Sequence, residues 1–263
     1  METNNAIPLV SVIMPAYNAA LFIEEAIASV RAQTVTDWEL FVIDDCSTDD
    51  TYKIACDIAM SDKRITVLKN EENMGVAKTR NRGIDLSNGK FIAFLDSDDY
   101  WKHNMLERMI QRADETDADI IYCSYEIVSE CGVKLCNDFI VPEKTSFKES
   151  IVRSVITCST VLITKQLAGN IHFPTDMYHE DIALWFGLLK EGKIARGVTD
   201  VLASYRQRAN SRSSDKLRSA RRRWFVYRKY LNMPFFQSVI TMINYGVYGL
   251  KKYKKIQKRN KNL

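Results

Sequence analysis

Short apolar runs alternate with stretches of helical periodicity over the first half of this 263-residue chain. The runs are rich in β-branched and aromatic residues, and the stretches between them repeat apolar residues every three or four positions. This alternation predicts an α/β fold with parallel strands joined by helical crossovers. The predicted strands are Val10–Met14, Glu39–Ile43, Ile65–Leu68, Phe91–Leu95 and Ile120–Ser124, and the predicted helices are Leu21–Gln33, Thr51–Met60, Val76–Ser87 and Met105–Glu115.

The pattern loosens after this first half. Residues from Tyr125 to Ser150 predict a hairpin or an irregular excursion. Val161–Thr164 then predicts a strand, Ile182–Lys190 a helix, and Val198–Tyr205 a strand that returns to the sheet.

Three polar clusters follow the predicted parallel strands directly: 15–18, Asp44-Asp45 and 96–99. In open parallel sheets, ligands bind beyond the carboxyl ends of the strands. Because all three clusters lie at such ends, they are expected to meet at one edge of the sheet. The sequence therefore predicts a binding site there.

The cluster Asp96-Ser97-Asp98-Asp99 concentrates three carboxylates at the end of a buried strand. Unpaired charge is costly there, so a divalent cation is a natural counterion. Mg²⁺ and Mn²⁺ held by one or two carboxylates usually complete their coordination with water and substrate phosphates. The pattern thus favours a metal-bound diphosphate. In the alternative, Asp98 or Asp99 only caps a helix that starts near Trp101.

Charge divides the chain into an acidic body and a basic tail. The net charge is +4, but the segment from Lys216 onward holds fourteen of the basic residues and no acidic one.

The six cysteines show no C-x-x-C spacing, which argues against a cysteine metal site or a disulfide framework and favours a reducing cytoplasm. Residues 1–8 lack the features of a signal peptide.

The basic tail also carries helical apolar patterns. Leu217, Ala220, Trp224, Tyr227 and Leu231 predict one helical face, and a second stripe comprises Phe236, Val239, Ile240, Ile243, Val247 and Leu250. An amphipathic helix with flanking basic residues is typical of a segment lying on an anionic membrane surface. Docking of the stripe on the rest of the protein is the alternative. Nucleic acid is not expected as a partner, since no known binding module accompanies the charge.

Five motifs occur in order along the body of the chain. They are Val10–Asn18, Val42–Asp49, Asn73-Met74-Gly75 with Thr79–Ile84, Phe94–Asp99, and Tyr178-His179-Glu180-Asp181. Together they resemble family-two inverting glycosyltransferases of the GT-A fold, of the bacterial surface-polysaccharide type. The resemblance covers about residues 8–206. It implies a Rossmann-like three-layer αβα domain over 1–215, with a nucleotide-sugar half up to about 125 and an acceptor half over 126–215, and leaves 216–263 as a basic helical extension.

The resemblance also implies a role for each matching residue. Asp98 and Asp96 would bind a divalent cation, Mn²⁺ or Mg²⁺. The donor would be bound by Pro15, Ala16, Tyr17, Asn18, Asp45, Arg80, Asp96, Ser97 and Arg206. Simple packing remains open for Tyr17, as does a helix N-terminal charge for Asp45. Arg206 or Arg208, followed by the segment 210–213, would close over the diphosphate.

The last motif resembles the acceptor-side motif of the family. It implies Asp181 as the catalytic base, which removes the proton of the attacking hydroxyl, with His179 and Glu180 on the acceptor side. In the alternative, Glu180 and Asp181 only cap the helix that follows. Arg223-Trp224 resembles part of a motif of processive synthases, but Ala220 stands where glutamine is expected, which favours addition of a single sugar.

The implied activity is metal-dependent, inverting transfer of a hexosyl or N-acetylhexosaminyl group. The expected donor is a UDP-sugar, and the expected acceptor is a saccharide hydroxyl, possibly on a polyprenyl diphosphate, in synthesis of O-antigen or capsule. We expect a cytoplasmic protein peripheral to the inner face of the membrane. The alternative is a catalytically silent nucleotide-sugar-binding or scaffold protein. A sugar-nucleotide pyrophosphorylase would need a glycine-rich phosphate loop, and none follows Val10–Met14.

Overall fold

A computed structural model of the chain describes residues 7–208 and 216–260. Nine strands within these residues form one sheet: β1 (Val10–Ala16), β2 (Trp38–Asp44), β3 (Ile65–Lys69), β4 (Phe91–Phe94), β5 (Tyr100–Trp101), β6 (Ile120–Val128), β7 (Lys144–Thr145), β8 (Val161–Thr164) and β9 (Ala195–Arg206). Residues 210–213, which the resemblance places after the arginine expected to close over the diphosphate, lie outside the described residues.

Nine α-helices lie in the described part of the chain. They are α1 (Ile23–Arg31), α2 (Thr51–Ala59), α3 (Val76–Leu86), α4 (Met105–Asp114), α5 (Phe147–Arg153), α6 (Lys165–Ala168), α7 (Glu180–Lys190), α8 (Lys216–Phe225) and α9 (Phe235–Asn260). A 3₁₀ turn, Cys158–Thr160, precedes β8, and a π-helix, Val226–Tyr230, follows α8.

The sheet order is β3-β2-β1-β4-β8-β6-β9-β5, with β7 on β9. Strands β3, β2, β1 and β4 are parallel, and β6 is parallel to β9 in the longest pairing. Strand β8 runs antiparallel between β4 and β6. The prediction of an α/β fold with a mostly parallel sheet is therefore confirmed.

The apolar alternation of the strands gives the sheet two covered faces. In β1, Val12 and Met14 belong to a core cluster with α1 and α4, whereas Ile13 points to the opposite cluster with α3 and α7. Gly83 lets α3 approach closely, because a Cβ there would lie 2.4 Å from the Ile13 side chain. This contact fixes α3, and with it Arg80, one turn earlier on the same helix.

The alternative of a helix start near Trp101 is wrong, because Tyr100–Trp101 pair with β9 and form β5. The predicted hairpin after Tyr125 is present: antiparallel bridges join Tyr125 to Phe139 and Val128 to Lys134. The end of the region is more regular than predicted, since a capping box between Ser146 and Glu149 begins α5.

The C-terminal helices pack on α5 and α7. Val226, Tyr227 and Leu231 are buried in a cluster with Phe186 of α7. The predicted face 217–231 thus docks on the body through its C-terminal part. Arg223 is also buried, and it donates to the carbonyl oxygen of Ile151 at 3.1 Å.

Helix α9 docks through its more polar side. Ser238 and Thr241 are buried, and the ring of Tyr245 lies 4.0 Å from the guanidinium of Arg223. The predicted apolar stripe points outward instead: Phe236 is 80% exposed, and Ile240 and Ile243 are each 59% exposed. Among the described residues, no helix is long and apolar enough to cross a membrane.

Candidate active site

The segment after β4 places two acidic side chains where solvent can reach them. The side chains of Asp96 and Asp98 are 33% and 28% exposed. Burial, and then the charge of Asp96, raises the pKa of Asp98, while Arg208 at 3.5 Å opposes the shift. Ser97 lies buried between them. The strand end therefore holds a pair of repelling carboxylates that a cation would stabilise.

Asp99 has a different, structural environment. Its carboxylate accepts a hydrogen bond from the Ser159 hydroxyl at 2.5 Å and another from the backbone N–H of Arg206 at 2.8 Å. Burial and the charges of Asp98 and Asp96 raise its pKa well above the usual value. Asp99 thus ties the ends of β4 and β9 together. It does not cap a helix, since α4 begins after Asn104 without a side-chain cap.

Arg206 requires a correction. The resemblance implied that it closes over a diphosphate, but it ends β9 and its side chain is 3% exposed. Its guanidinium donates to the carbonyl oxygens of Asp98 and Glu130 at 2.8 and 2.6 Å and pairs with Glu25. These contacts hold the loops in place. Arg208 instead lies beside Asp98, with its Nη1 3.5 Å from the carboxylate.

Arg80 joins the two halves of the site. It lies on α3, is 4% exposed, and donates to Asp96 at 2.6 Å and to Glu180 at 2.8 Å. Its terminal nitrogens therefore contact carboxylates of the chain itself. Because Asp96 follows β4 and Glu180 begins α7, this bridge brings the predicted donor side and the predicted acceptor side into one cluster.

Asp181 follows Glu180 in the first turn of α7 and is half-buried. Burial and the neighbouring charge of Glu180 raise its pKa to about 6, although Arg80 opposes the shift. A carboxylate with a pKa near the working pH is a far better proton acceptor than an ordinary aspartate. The environment of Asp181 therefore suits a general base.

The other two acceptor-side residues have distinct surroundings. Glu180 is 6% exposed and bonded to Arg80, so its carboxylate faces α3 rather than an open acceptor site. His179 adopts a left-handed conformation with φ of 68° at the N-cap of α7, and its Nε2 lies 3.4 Å from the hydroxyl of Ser219. The N-cap residue His179 makes no side-chain capping bond, and Glu180 and Asp181 both lie in the first turn of α7, where negative charge also favours the helix N-terminus.

The loop after β1 is joined to the loop after β2. The side-chain oxygen of Asn18 accepts a bond from the N–H of Thr48 at 2.9 Å, and the N–H of Asn18 donates to Ser47. Pro15 and Ala16 complete buried β1, whereas Tyr17 is 48% exposed. The exposed ring leaves Tyr17 open to a ligand, and the packing alternative does not hold for it.

Asp45 organises a third loop. Its buried carboxylate accepts bonds from the side chain of Asn70 and from the backbone N–H groups of Met74 and Gly75, each at 2.8 Å. The neighbouring Asp44 is also buried, and its Oδ1 has no hydrogen-bond partner. Asp45 is therefore a loop anchor as well as a predicted donor contact, and it is not a helix N-terminal charge.

The carboxylates of Asp96 and Asp98 fit a divalent cation of the Mg²⁺ or Mn²⁺ class. Within the described residues, no group of three or more His, Cys, Asp or Glu side chains is arranged to hold a metal. One or two carboxylates suffice for these ions when substrate phosphates supply further ligands. The repulsion between Asp96 and Asp98 provides the electrostatic reason for binding.

Sequence patterns did not reveal the residues that support these groups. Ser159 bonds to Asp99 and accepts a bond from the N–H of Asp96 at 3.2 Å. The thiol of Cys158, next to it, is buried, and burial raises its pKa well above the usual value, although the charge of Arg80 opposes the shift. Both residues come from a turn 60 positions away in the chain, so no linear signal marks them.

Comparison with known proteins places the chain in a family. The model of "Glycosyl transferase family 2" matches residues 11–138. A putative teichuronic acid biosynthesis glycosyltransferase of Bacillus subtilis, TuaG, is 37% identical over 93% of this chain and 97% of its own length. The Escherichia coli enzyme WfgD, a UDP-Glc:α-D-GlcNAc-diphosphoundecaprenol β-1,3-glucosyltransferase, is 36% identical over 93% of this chain and 95% of its own.

Solved structures share the fold. Staphylococcus aureus TarS 1–349, in complex with UDP-GlcNAc, superimposes with a TM-score of 0.69 at 22% identity, over 90% of this chain and 71% of that one. The mannosyltransferase PcManGT of Pyrobaculum calidifontis, in complex with GDP-Man and Mn²⁺, gives 0.68 at 19% identity, over 88% and 66%. At these identities the likeness supports the fold alone.

Proposed function

The chain belongs to glycosyl transferase family 2, and from that premise we propose that it transfers one sugar, with inversion, from a nucleotide sugar to a hydroxyl of a lipid-linked saccharide. The observation that carries this proposal is the bridge of Arg80 between Asp96 and Glu180. The bridge ties Asp96, on the proposed donor side, to Glu180, the residue next to the proposed base Asp181. Inverting transfer requires the donor side and the base at one reaction centre.

The donor side of the proposal rests on Asp96, Asp98 and the loop after β1. Asp98 and Asp96 would hold Mn²⁺ or Mg²⁺, which supplies positive charge for the leaving nucleoside diphosphate. Arg208 lies 3.5 Å from Asp98, so it would place a second positive charge beside the leaving nucleoside diphosphate. Tyr17, Asn18 and the neighbouring residues Pro15 and Ala16 would line the nucleotide site.

Asp181 is the proposed base. Its carboxylate would take the proton of the acceptor hydroxyl as that oxygen attacks the anomeric carbon from the face opposite the leaving group. Inversion follows from one displacement, so an α-linked donor yields a β-glycoside. Glu180 and Arg80 would act through Asp181, the first raising its pKa and the second lowering it.

The substrates are proposed from the relatives. The name of WfgD specifies UDP-glucose and a diphosphoundecaprenol-linked sugar, and TarS was solved with UDP-GlcNAc. By analogy we propose a UDP-hexose or UDP-N-acetylhexosamine as donor and a polyprenyl-diphosphate-linked saccharide as acceptor, within synthesis of a bacterial surface polysaccharide.

We further propose that α9 lies on the inner face of the cytoplasmic membrane. Its polar side packs on α5, and its exposed stripe of Phe236, Ile240 and Ile243 would enter the acyl region of the membrane. Because residues 216–263 contain basic but no acidic residues, anionic headgroups would attract them at about 1 kcal/mol per charge. In this proposal 1–215 is the catalytic domain and 216–263 its membrane-facing extension.

The catalytic proposal is tested by incubating the purified protein with a panel of UDP-sugars, Mn²⁺ and a polyprenyl-diphosphate-linked sugar, and by measuring UDP release. Wild-type protein should turn over, and Asp181→Asn should lose at least a hundredfold in rate while binding UDP normally. Absence of transfer with every donor, together with normal UDP binding, would favour the catalytically silent alternative.

The membrane proposal is tested by flotation with vesicles containing phosphatidylglycerol. Replacing Phe236, Ile240 and Ile243 by Ser should release the protein from the vesicles. A matched control replaces Met60 and Ile140, which are similarly exposed elsewhere on the surface. Equal binding of the wild type and the triple variant would contradict the proposal.

A further inference from the structure

Residues 174–179 form a loop that leads into α7, and adjacent residues of α3 hold its two ends. The side chain of Asn81 accepts a hydrogen bond from the N–H of Phe173 at 2.7 Å and donates one to the Phe173 carbonyl oxygen at 2.9 Å. Arg80 donates to Glu180 at 2.8 Å, and its guanidinium lies 5.3 Å from the centre of the Phe173 ring. The ends of the loop therefore lie close together, as in compact surface loops that often carry function.

The start of the loop is also packed against the helix that carries the proposed base. The ring of Phe173 lies 5.3 Å from that of Phe94 and 5.8 Å from that of Trp185, edge to face in both pairs. Trp185 lies about one turn beyond Asp181 on α7. The loop and the proposed base thus belong to one packed unit and keep a fixed position relative to each other.

The loop turns one aromatic side chain outward just before the base. His179 has a φ of 68°, a left-handed conformation that is uncommon for a residue other than glycine and recurs at active sites. On the two sides of this bend, Glu180 is buried and Tyr178 is 64% exposed. Asp181 is three residues beyond Tyr178, so their Cα atoms lie within about 11 Å of each other. A saccharide can reach both residues at once.

The ring of Tyr178 is supported from one side. The guanidinium of Arg222 on α8 lies over the ring, 4.3 Å from its centre, a contact that orients the ring. The large exposed fraction of Tyr178 indicates that the other face is open to a ligand. Sugars suit such a face, because the C–H groups on one side of a pyranose pack against the electron-rich face of an aromatic ring and remove apolar surface from water.

We propose that the acceptor sugar that carries the attacking hydroxyl stacks on the Tyr178 ring, an inference that rests on the proposed glycosyl transfer. Stacking would hold the sugar while its hydroxyl meets Asp181. Because the loop is fixed at both ends, the ring is preorganised, and little conformational entropy is lost when the sugar binds. The contact needs the aromatic ring of Tyr178 and not its hydroxyl.

The first test is saturation-transfer difference NMR on the full-length protein in the presence of UDP and Mn²⁺. The probes are the octyl glycosides of glucose, galactose and N-acetylglucosamine, and saturation is applied to the aromatic protons of the protein. The sugar protons of at least one glycoside should receive saturation in the wild type. Tyr178→Ala should weaken this binding roughly tenfold, whereas Tyr178→Phe should retain it. No signal with any glycoside in the wild type, or equal binding in Tyr178→Ala, would overturn the inference.

A kinetic measurement assigns the effect to the acceptor. In Tyr178→Ala the KM for the acceptor should rise roughly tenfold, while the KM for the donor stays unchanged. Ile194→Ala is the control, because Ile194 is also exposed but precedes β9 at the opposite edge of the sheet from the end of β4. It should change neither KM. Equal increases of both KM values in Tyr178→Ala, together with a lower midpoint of thermal unfolding, would indicate a structural role and overturn the inference.

The two tests keep this inference apart from the proposed function. Absence of transfer with every donor would refute the proposed function, but the NMR measurement would still decide whether Tyr178 binds a sugar. Transfer with normal kinetics in Tyr178→Ala would leave the proposed function standing and refute the stacking role of Tyr178.

Discussion

Replacing Glu180 by Gln should move the acidic limb of the pH–rate profile to lower pH. Burial and the charge of Glu180 raise the pKa of Asp181 to about 6, and Arg80 lowers it. The substitution removes the carboxylate that raises this pKa. It also frees Arg80 from one of its two acidic partners, so more of its positive charge acts on Asp181. Both effects favour the ionised base.

The size of the shift follows from Coulomb's law. Adjacent side chains in a helical turn place their charges on the order of 7 Å apart, and an effective dielectric constant of about 20–40 gives about 1–2 kcal/mol. That energy corresponds to roughly one pH unit. At pH 5 a base with a pKa near 6 is about one-tenth ionised, and after the shift it is about half ionised. Relative activity at pH 5 should therefore rise about fivefold.

The assay measures UDP release between pH 4.5 and 8.5 and derives kcat/KM for the acceptor at saturating donor and Mn²⁺. The profile of each variant is normalised to its own plateau. Glu191→Gln is a matched control, since Glu191 lies at the other end of α7, and it should leave the limb in place. A limb that stays fixed or moves upward in Glu180→Gln would refute the assignment of Asp181 as the titrating base.

Further predictions concern stability and metal. Asp181→Asn should raise the free energy of unfolding by about 1–3 kcal/mol at pH 7.5. Because the pKa of Asp181 is raised to about 6 in the folded protein, its ionised form destabilises the fold, and this cost is complete above about pH 6. The gain in Asp181→Asn should therefore shrink as pH falls toward 4, which urea unfolding at both pH values checks. Arg80→Met should cost roughly 3–5 kcal/mol because it leaves buried Glu180 unpaired, and Arg80→Met/Glu180→Gln should cost less; an equal or larger loss in the double variant contradicts the bridge. Asp98→Asn should raise the Mn²⁺ concentration needed for half-maximal UDP release at least tenfold, whereas chelation by EDTA should abolish release in the wild type; Mn²⁺-independent transfer would exclude the proposed metal role.

Sequence patterns located most of the fold because they record periodic burial. All the strands predicted in the first half occur, and the carboxyl-edge rule placed residues 15–18, 44–45 and 96–99 at the ends of β1, β2 and β4. Helix boundaries differed by a few residues, and Tyr100–Trp101 was missed as a strand because its pairing partner lies far along the chain. The resemblance to a family added Asp181, which no periodicity marks.

The sequence by itself determined which side chains reach the sheet edge, because the period of a strand and the position of its end are local properties. Tertiary structure alone decided how those side chains are used. Arg80 lies between two carboxylates, Arg206 is buried, and α9 turns its apolar stripe outward. Each outcome depends on which distant groups share a low-dielectric environment, and the free energy of a charge or an apolar surface is set by those neighbours rather than by its place in the chain.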